Sequence, residues 1–141
     1  MYEQYTRQAL PPKEYRELLG SAICVFNSNN AFIIENILNE DTSNKYNWWD
    51  LIDKTSGQLS SPIENTITAK VGPGIANRFK QITEIRNRII HSFQITGEDG
   101  EQCLATKHKD GQQEVINKDY LKEFIRLNEF LSDELHKLRG Y

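Results

Sequence analysis

Apolar residues recur along this chain at helical spacings, and the clearest run follows a strong break. From Ile75 onwards, Phe79, Ile82, Ile85, Ile89 and Phe93 succeed one another at steps of four, three, three, four and four. That spacing puts them on one stripe of an amphipathic helix, expected to end by Gly97. The break is Val71-Gly72-Pro73-Gly74. Further upstream, Pro11 and Pro12 suit a helix start, and Tyr15, Leu18, Leu19, Ala22, Ile23 and Phe26 repeat at threes and fours. Asn27-Ser28-Asn29-Asn30 interrupts this pattern with turn-prone residues, yet Ile33, Ile34, Ile37 and Leu38 resume nearly in phase. One long helix is therefore preferred over a broken pair.

A polar link over 39–47 leads to Trp48, Trp49, Leu51 and Ile52, a short helix whose two tryptophans are expected to anchor on the core. The stretch over 57–62, GQLSSP, reads as loop. After Gly97, the turn pairs Asp99-Gly100 and Asp110-Gly111 surround short segments holding Cys103-Leu104-Ala105 and Val115-Ile116. They predict a small exposed β-hairpin between Glu98 and Ile116. Asn117 is then placed to cap a last helix with Leu121, Phe124, Ile125, Leu131, Leu135 and Leu138 on its apolar face. Lys137 and Arg139 near its end complement the helix dipole. The expected fold class is all-α: an up-and-down bundle of four to five helices with a small β-hairpin insertion before the last, forming a single domain over 1–141.

Composition narrows the function classes. A chain of 141 residues, 38% hydrophobic and 26% charged, suits one modest core. The polar start lacks the apolar run of a signal peptide, and no segment approaches the roughly 18 apolar residues that cross a bilayer. A cytoplasmic protein with no membrane partner is expected. Cys24 and Cys103 form no C-x-x-C pair and have no histidines at zinc-ligand spacing, so both read as reduced thiols. A net charge of −3 argues against coating nucleic acid by charge alone. Between Lys70 and His91, however, five cations (Lys70, Arg78, Lys80, Arg86, Arg88) face the single acid Glu84.

One of those cations is out of place. On a wheel of about 100° per residue with Ile75 at zero, the apolar arc runs from about 280° through zero to about 60°, and Arg86 falls inside it near ~20°. Asn87 near ~120° and His91 near ~160° are neighbours on its flank, so Asn87 is placed to hydrogen-bond or orient the imidazole. Glu84 and Arg88, also four apart, read as an exposed pair. Two readings of Arg86 stand open: a structural ion pair with an acid such as Glu35 or Asp50, or a functional guanidinium. His91 taken alone reads as a flank or core histidine, and His108 and His136 read as surface residues.

Taken together, Arg86-Asn87-Arg88-Ile89-Ile90-His91 on the third long helix of a small bundle resembles the HEPN superfamily of bacterial and archaeal ribonucleases and toxins. Its motif is R-x4-6-H, with Asn, Asp or His favoured directly after the Arg. The pattern is short, and its context adds weight: the long amphipathic helix, the bundle order and the hairpin-then-helix tail. The resemblance implies an endoribonuclease needing no metal or cofactor, in which the ribose 2′-OH attacks and leaves a 2′,3′-cyclic phosphate. Arg86 would then stabilise the scissile phosphate, His91 would move protons, and Asn87 would hold the imidazole or the phosphate. Lys80, with Arg78 and Arg88 behind it, would contact the RNA backbone.

Arg86 and His91 lie about 140° apart around the helix and about 7.5 Å apart along it, so they do not converge easily on one chain. HEPN nucleases are typically homodimers with a composite active site, and a twofold axis would bring both pairs around one cleft. The implied setting is toxin–antitoxin or antiviral defence, with an antitoxin or defence partner protein. Family toxins silenced by AMP transfer carry a tyrosine two residues after the His. Ser92 and Phe93 follow His91 here, so that route lacks its acceptor hydroxyl. The alternative is a non-catalytic HEPN-like module that binds a protein or nucleotide ligand.

Overall fold

The computed structural model describes residues 2–140. After a single 3-10 turn at Glu3–Tyr5, helix α1 spans Lys13–Glu40 without a break. Asn29 and Asn30 in its middle do not disrupt it because their side chains bond to other elements instead of their own backbone. The buried Asn29 amide donates to the Asn128 carbonyl at 2.7 Å and to its side-chain oxygen at 3.1 Å. Asn30 accepts from Ser56 Oγ at 2.7 Å.

Helix α2, Trp48–Ile52, is capped by Asn47, whose side chain accepts from the Asp50 amide at 3.0 Å. Of the two expected anchors, Trp48 packs on the core and Trp49 is 76% exposed. Adjacent residues on a helix point about 100° apart, so both indoles cannot share the inward face. The stretch read as loop is instead helical: a 3-10 turn Ser56–Leu59, then α3 Ser60–Ile63, a π turn Glu64–Thr68 and α4 Ala69–Val71. Leu59, Ile63 and Ile67, four apart, are its buried stripe, which the intervening serines and proline obscure. Gly72, at φ 87, ends it in a backbone region that suits glycine.

Helix α5 spans Gly74–Ile90 and stops three residues short of the expected stripe's last member. Ser92 Oγ donates back to the Ile89 carbonyl at 2.6 Å, and the chain leaves as a strand. Strands β1 Phe93–Thr96, β2 Gln102–Lys107 and β3 Gln113–Ile116 form an antiparallel sheet in the order β1-β2-β3. The all-α expectation is corrected accordingly: the protein is mostly helical, with a three-stranded sheet rather than a hairpin before the last helix. Phe93-Gln94-Ile95-Thr96 alternates apolar and polar, and this period-two pattern prevails over the helical phase that Phe93 happens to share. Both Asp-Gly turns fall where expected, with Gly100 and Gly111 at φ 82 and 90.

Asn117 caps α6, Lys118–Arg139, by accepting from the Tyr120 amide at 2.8 Å. Asn117→Ala is expected to cost about 1 kcal/mol, read as a lower denaturation midpoint with an unchanged slope. Helices α1, α5 and α6 share one core. At its centre Phe26 stacks on Phe79 and Phe124, with ring centroids 6.1 and 6.3 Å away. Cys24 and Cys103 are free thiols. Among the described residues no helix is long and apolar enough to cross a membrane.

Candidate functional site

Arg86 projects from the apolar stripe of α5 onto α1, with Cζ 4.8 Å from the Phe26 ring centroid. Its Nε is buried and has no hydrogen-bond partner among the described residues. Neither acid suggested as a counterion reaches it: Asp50 accepts from the Asn47 amide at 2.6 Å, and Glu35 is exposed. The structural ion pair is thereby overturned among the described residues. Burial pushes the guanidinium pKa down, although arginine stays charged throughout the biological range. The Phe26 face returns about 0.5–2 kcal/mol of that desolvation cost.

His91 sits at the C-terminal cap of α5, exposed, with its backbone amide bonded to the Asn87 carbonyl at 3.0 Å. The expected side-chain bond from Asn87 to the imidazole is not made. His91 has φ −95 and ψ 22, outside helical values, so the four-residue neighbour rule does not carry across the helix end. Arg86 turns into the chain while His91 stands in solvent, and no hydrogen bond joins them among the described residues.

The three cations assigned to RNA separate. Lys80 is exposed on the Asn87 side of α5. Arg78 lies on the other side, ion-paired through Nε to Glu134 of α6, with Cζ 5.8 Å from the Phe130 centroid. That pairing makes Arg78 a tie between α5 and α6 and engages its Nε. Arg88 Nη1 donates to the Lys107 carbonyl at 3.3 Å, so it leans on the sheet instead of pairing with Glu84. Arg78→Ala is expected to cost about 0.2–1 kcal/mol of stability, read as a lower denaturation midpoint.

A feature absent from the sequence reading is a cavity of about 490 Å³ between α5 and the helical segment over 56–68. Asn87 and Lys80 line it together with Thr83 and Thr68. Its signal in the sequence is faint: Ala76, Thr83 and Asn87, small or polar, run along one side of α5 next to the apolar stripe. The opposing wall is masked in the sequence because Ser60, Ser61 and Pro62 interrupt its apolar stripe. His108 bonds to Glu114 and lines a separate groove that also includes Glu84 and Asn87, and His136 packs against Phe32. Among the described residues no three His, Cys, Asp or Glu side chains gather as metal ligands.

The chain matches no family model, no curated protein and no solved structure.

Proposed function

We propose that this chain is a HEPN-type endoribonuclease that cuts RNA without a metal, acting as a homodimer in toxin–antitoxin or antiviral defence. The observation that supports this reading is Arg86: a partly buried guanidinium, held on Phe26, without a carboxylate partner, on the helix that ends in an exposed and unpartnered His91. A desolvated charge lacking a protein counterion is costly, and a phosphate would balance it.

In the reaction, the 2′-oxygen attacks phosphorus and the bond from phosphorus to the 5′-oxygen breaks. The 2′-hydroxyl proton passes to one imidazole, and a second imidazole protonates the departing 5′-oxygen. Each chain supplies one His91, so a shared site accounts for both proton transfers. Ile90 and Phe93, beside His91 in the chain and 53% and 41% exposed, offer apolar surface for a second copy.

The test is incubation of the purified chain with RNA in EDTA and analysis of the product ends. Cleavage to 2′,3′-cyclic phosphate and 5′-hydroxyl ends, with the matching DNA untouched, is the expected result. Absence of cleavage across structured and unstructured RNAs would favour a non-catalytic binding module.

A further inference from the structure

The cavity beside Asn87 contains hydroxyls that the protein does not satisfy. Thr83 is 6% exposed, and its Oγ1 has no hydrogen-bond partner among the described residues. Thr68 Oγ1, across the cavity on the π turn, is also buried and unpartnered. Threonine in a helix commonly bonds back to the carbonyl four residues earlier, as Thr66 does to Pro62 at 2.7 Å. Thr68 and Thr83 do not, so each hydroxyl stays unpaired in the cavity wall and can meet an occupant once its side chain turns towards it. Buried polar groups are nearly always paired, and two orphans in the walls of one cavity point to a polar guest.

The walls restrict its chemistry. Ile63, Phe79 and Ala76 give apolar surface, while the charged lining residues are Glu64, Glu84 and Lys80. Two carboxylates against one ammonium disfavour an anion inside and favour a neutral guest that donates hydrogen bonds. The volume of about 490 Å³ suits a small ligand. A nucleobase is flat, apolar on its faces and polar at its edges, and single-stranded RNA is read by such splayed bases.

We infer that this cavity is a nucleobase pocket in which the Thr83 and Thr68 hydroxyls and the wall carboxylates read the base edge. Naming its occupant as an RNA base rests on the ribonuclease reading. Asn87, shared between the cavity and the motif, then links base recognition to the scissile phosphate, and Lys80 holds the adjoining backbone phosphate. Bases carrying an exocyclic amino group present donors to Glu64 and Glu84, so guanosine, adenosine and cytidine are expected to bind more tightly than uridine.

The experiment is titration of the full chain with the four ribonucleosides, and separately with ribose 5-phosphate, followed by amide chemical shifts. Thr83→Val removes one hydroxyl at nearly constant shape, and Ala76→Leu fills the cavity; thermal melts check that both fold. Saturable nucleoside shifts around residues 60–68 and 76–87 are expected, weakened about tenfold in Thr83→Val and abolished in Ala76→Leu. Thr83→Val should melt no lower than the wild type, because it deletes an orphaned hydroxyl. The inference is overturned if no nucleoside binds, if uridine binds best, if ribose 5-phosphate gives the same shifts, or if both variants bind like the wild type. RNA cleavage without nucleoside binding removes the pocket and spares the nuclease. Nucleoside binding without cleavage does the reverse.

Discussion

Replacing His91 by Ala is expected, on the ribonuclease proposal, to reduce RNA cleavage by about 10²–10⁴-fold, the usual contribution of a positioned proton-transfer group. Thermal stability should stay close to that of the wild type, because the imidazole is exposed and bonds to nothing among the described residues. Arg86→Met forms the second half of this test. Methionine keeps an apolar stem over Phe26 and removes the desolvated charge, so stability should hold or rise while cleavage falls by about 10²–10³-fold, the scale of one lost transition-state donor. Activity lost at unchanged or higher stability is the pattern of a functional charge. A destabilised but still active Arg86→Met would show that the guanidinium serves packing, and the catalytic assignment would fail. Arg86→Lys should restore little, since an ammonium cannot present two donors in one plane.

The largest effect on stability is expected at Tyr15, which joins α1 to the sheet. The residue is 3% exposed; its hydroxyl donates to the Ile116 carbonyl and accepts from the Leu104 amide at 3.0 Å. Leu104 and Ile116 are paired across β2 and β3, so one phenol holds both strands at the same rung. Tyr15→Phe keeps the ring and leaves both backbone groups without that partner, at about 1–3 kcal/mol for each group that stays unpaired. The melting temperature should fall by several degrees, and amide exchange should quicken at Leu104 before it does in α5 or α6. An unchanged melt with unchanged exchange would show that the sheet is held by other contacts.

The same residue gives a pH signature. Burial raises the Tyr15 phenol above its ordinary value of 10.0. A raised value means the folded state prefers the neutral form. Its contribution is fully present below 10.0 and is lost as pH rises through the folded value. Wild type should therefore lose stability above about pH 10 more steeply than Tyr15→Phe, measured by denaturant titration at a series of pH values.

What was legible in the chain was local. The stripes of α1, α5 and α6, the Asn117 cap and the two Asp-Gly turns each depend on residues within a few positions of one another, where periodicity and turn chemistry operate. The helical segment over 56–71 escaped because its stripe of Leu59, Ile63 and Ile67 is diluted by serines and a proline. Phe93 suits either element in the sequence, because four residues from Ile89 fits a helix while alternation fits a strand equally well over so short a run. Arg86 on an apolar face could be read from a wheel, and so could its neighbours Asn87 and His91.

Whether Arg86 has a counterion could not be read that way. Its answer lies in Phe26, sixty residues earlier in the chain, and in the distant carboxylates of Glu35 and Asp50 that do not reach it. The turning of Asn87 away from His91 depends on where α5 stops, and the cavity needs a wall supplied by a different segment. Periodicity constrains the face a residue occupies on its own helix; what covers that face is set by long-range packing, and desolvation, pairing and cavities arise from that packing.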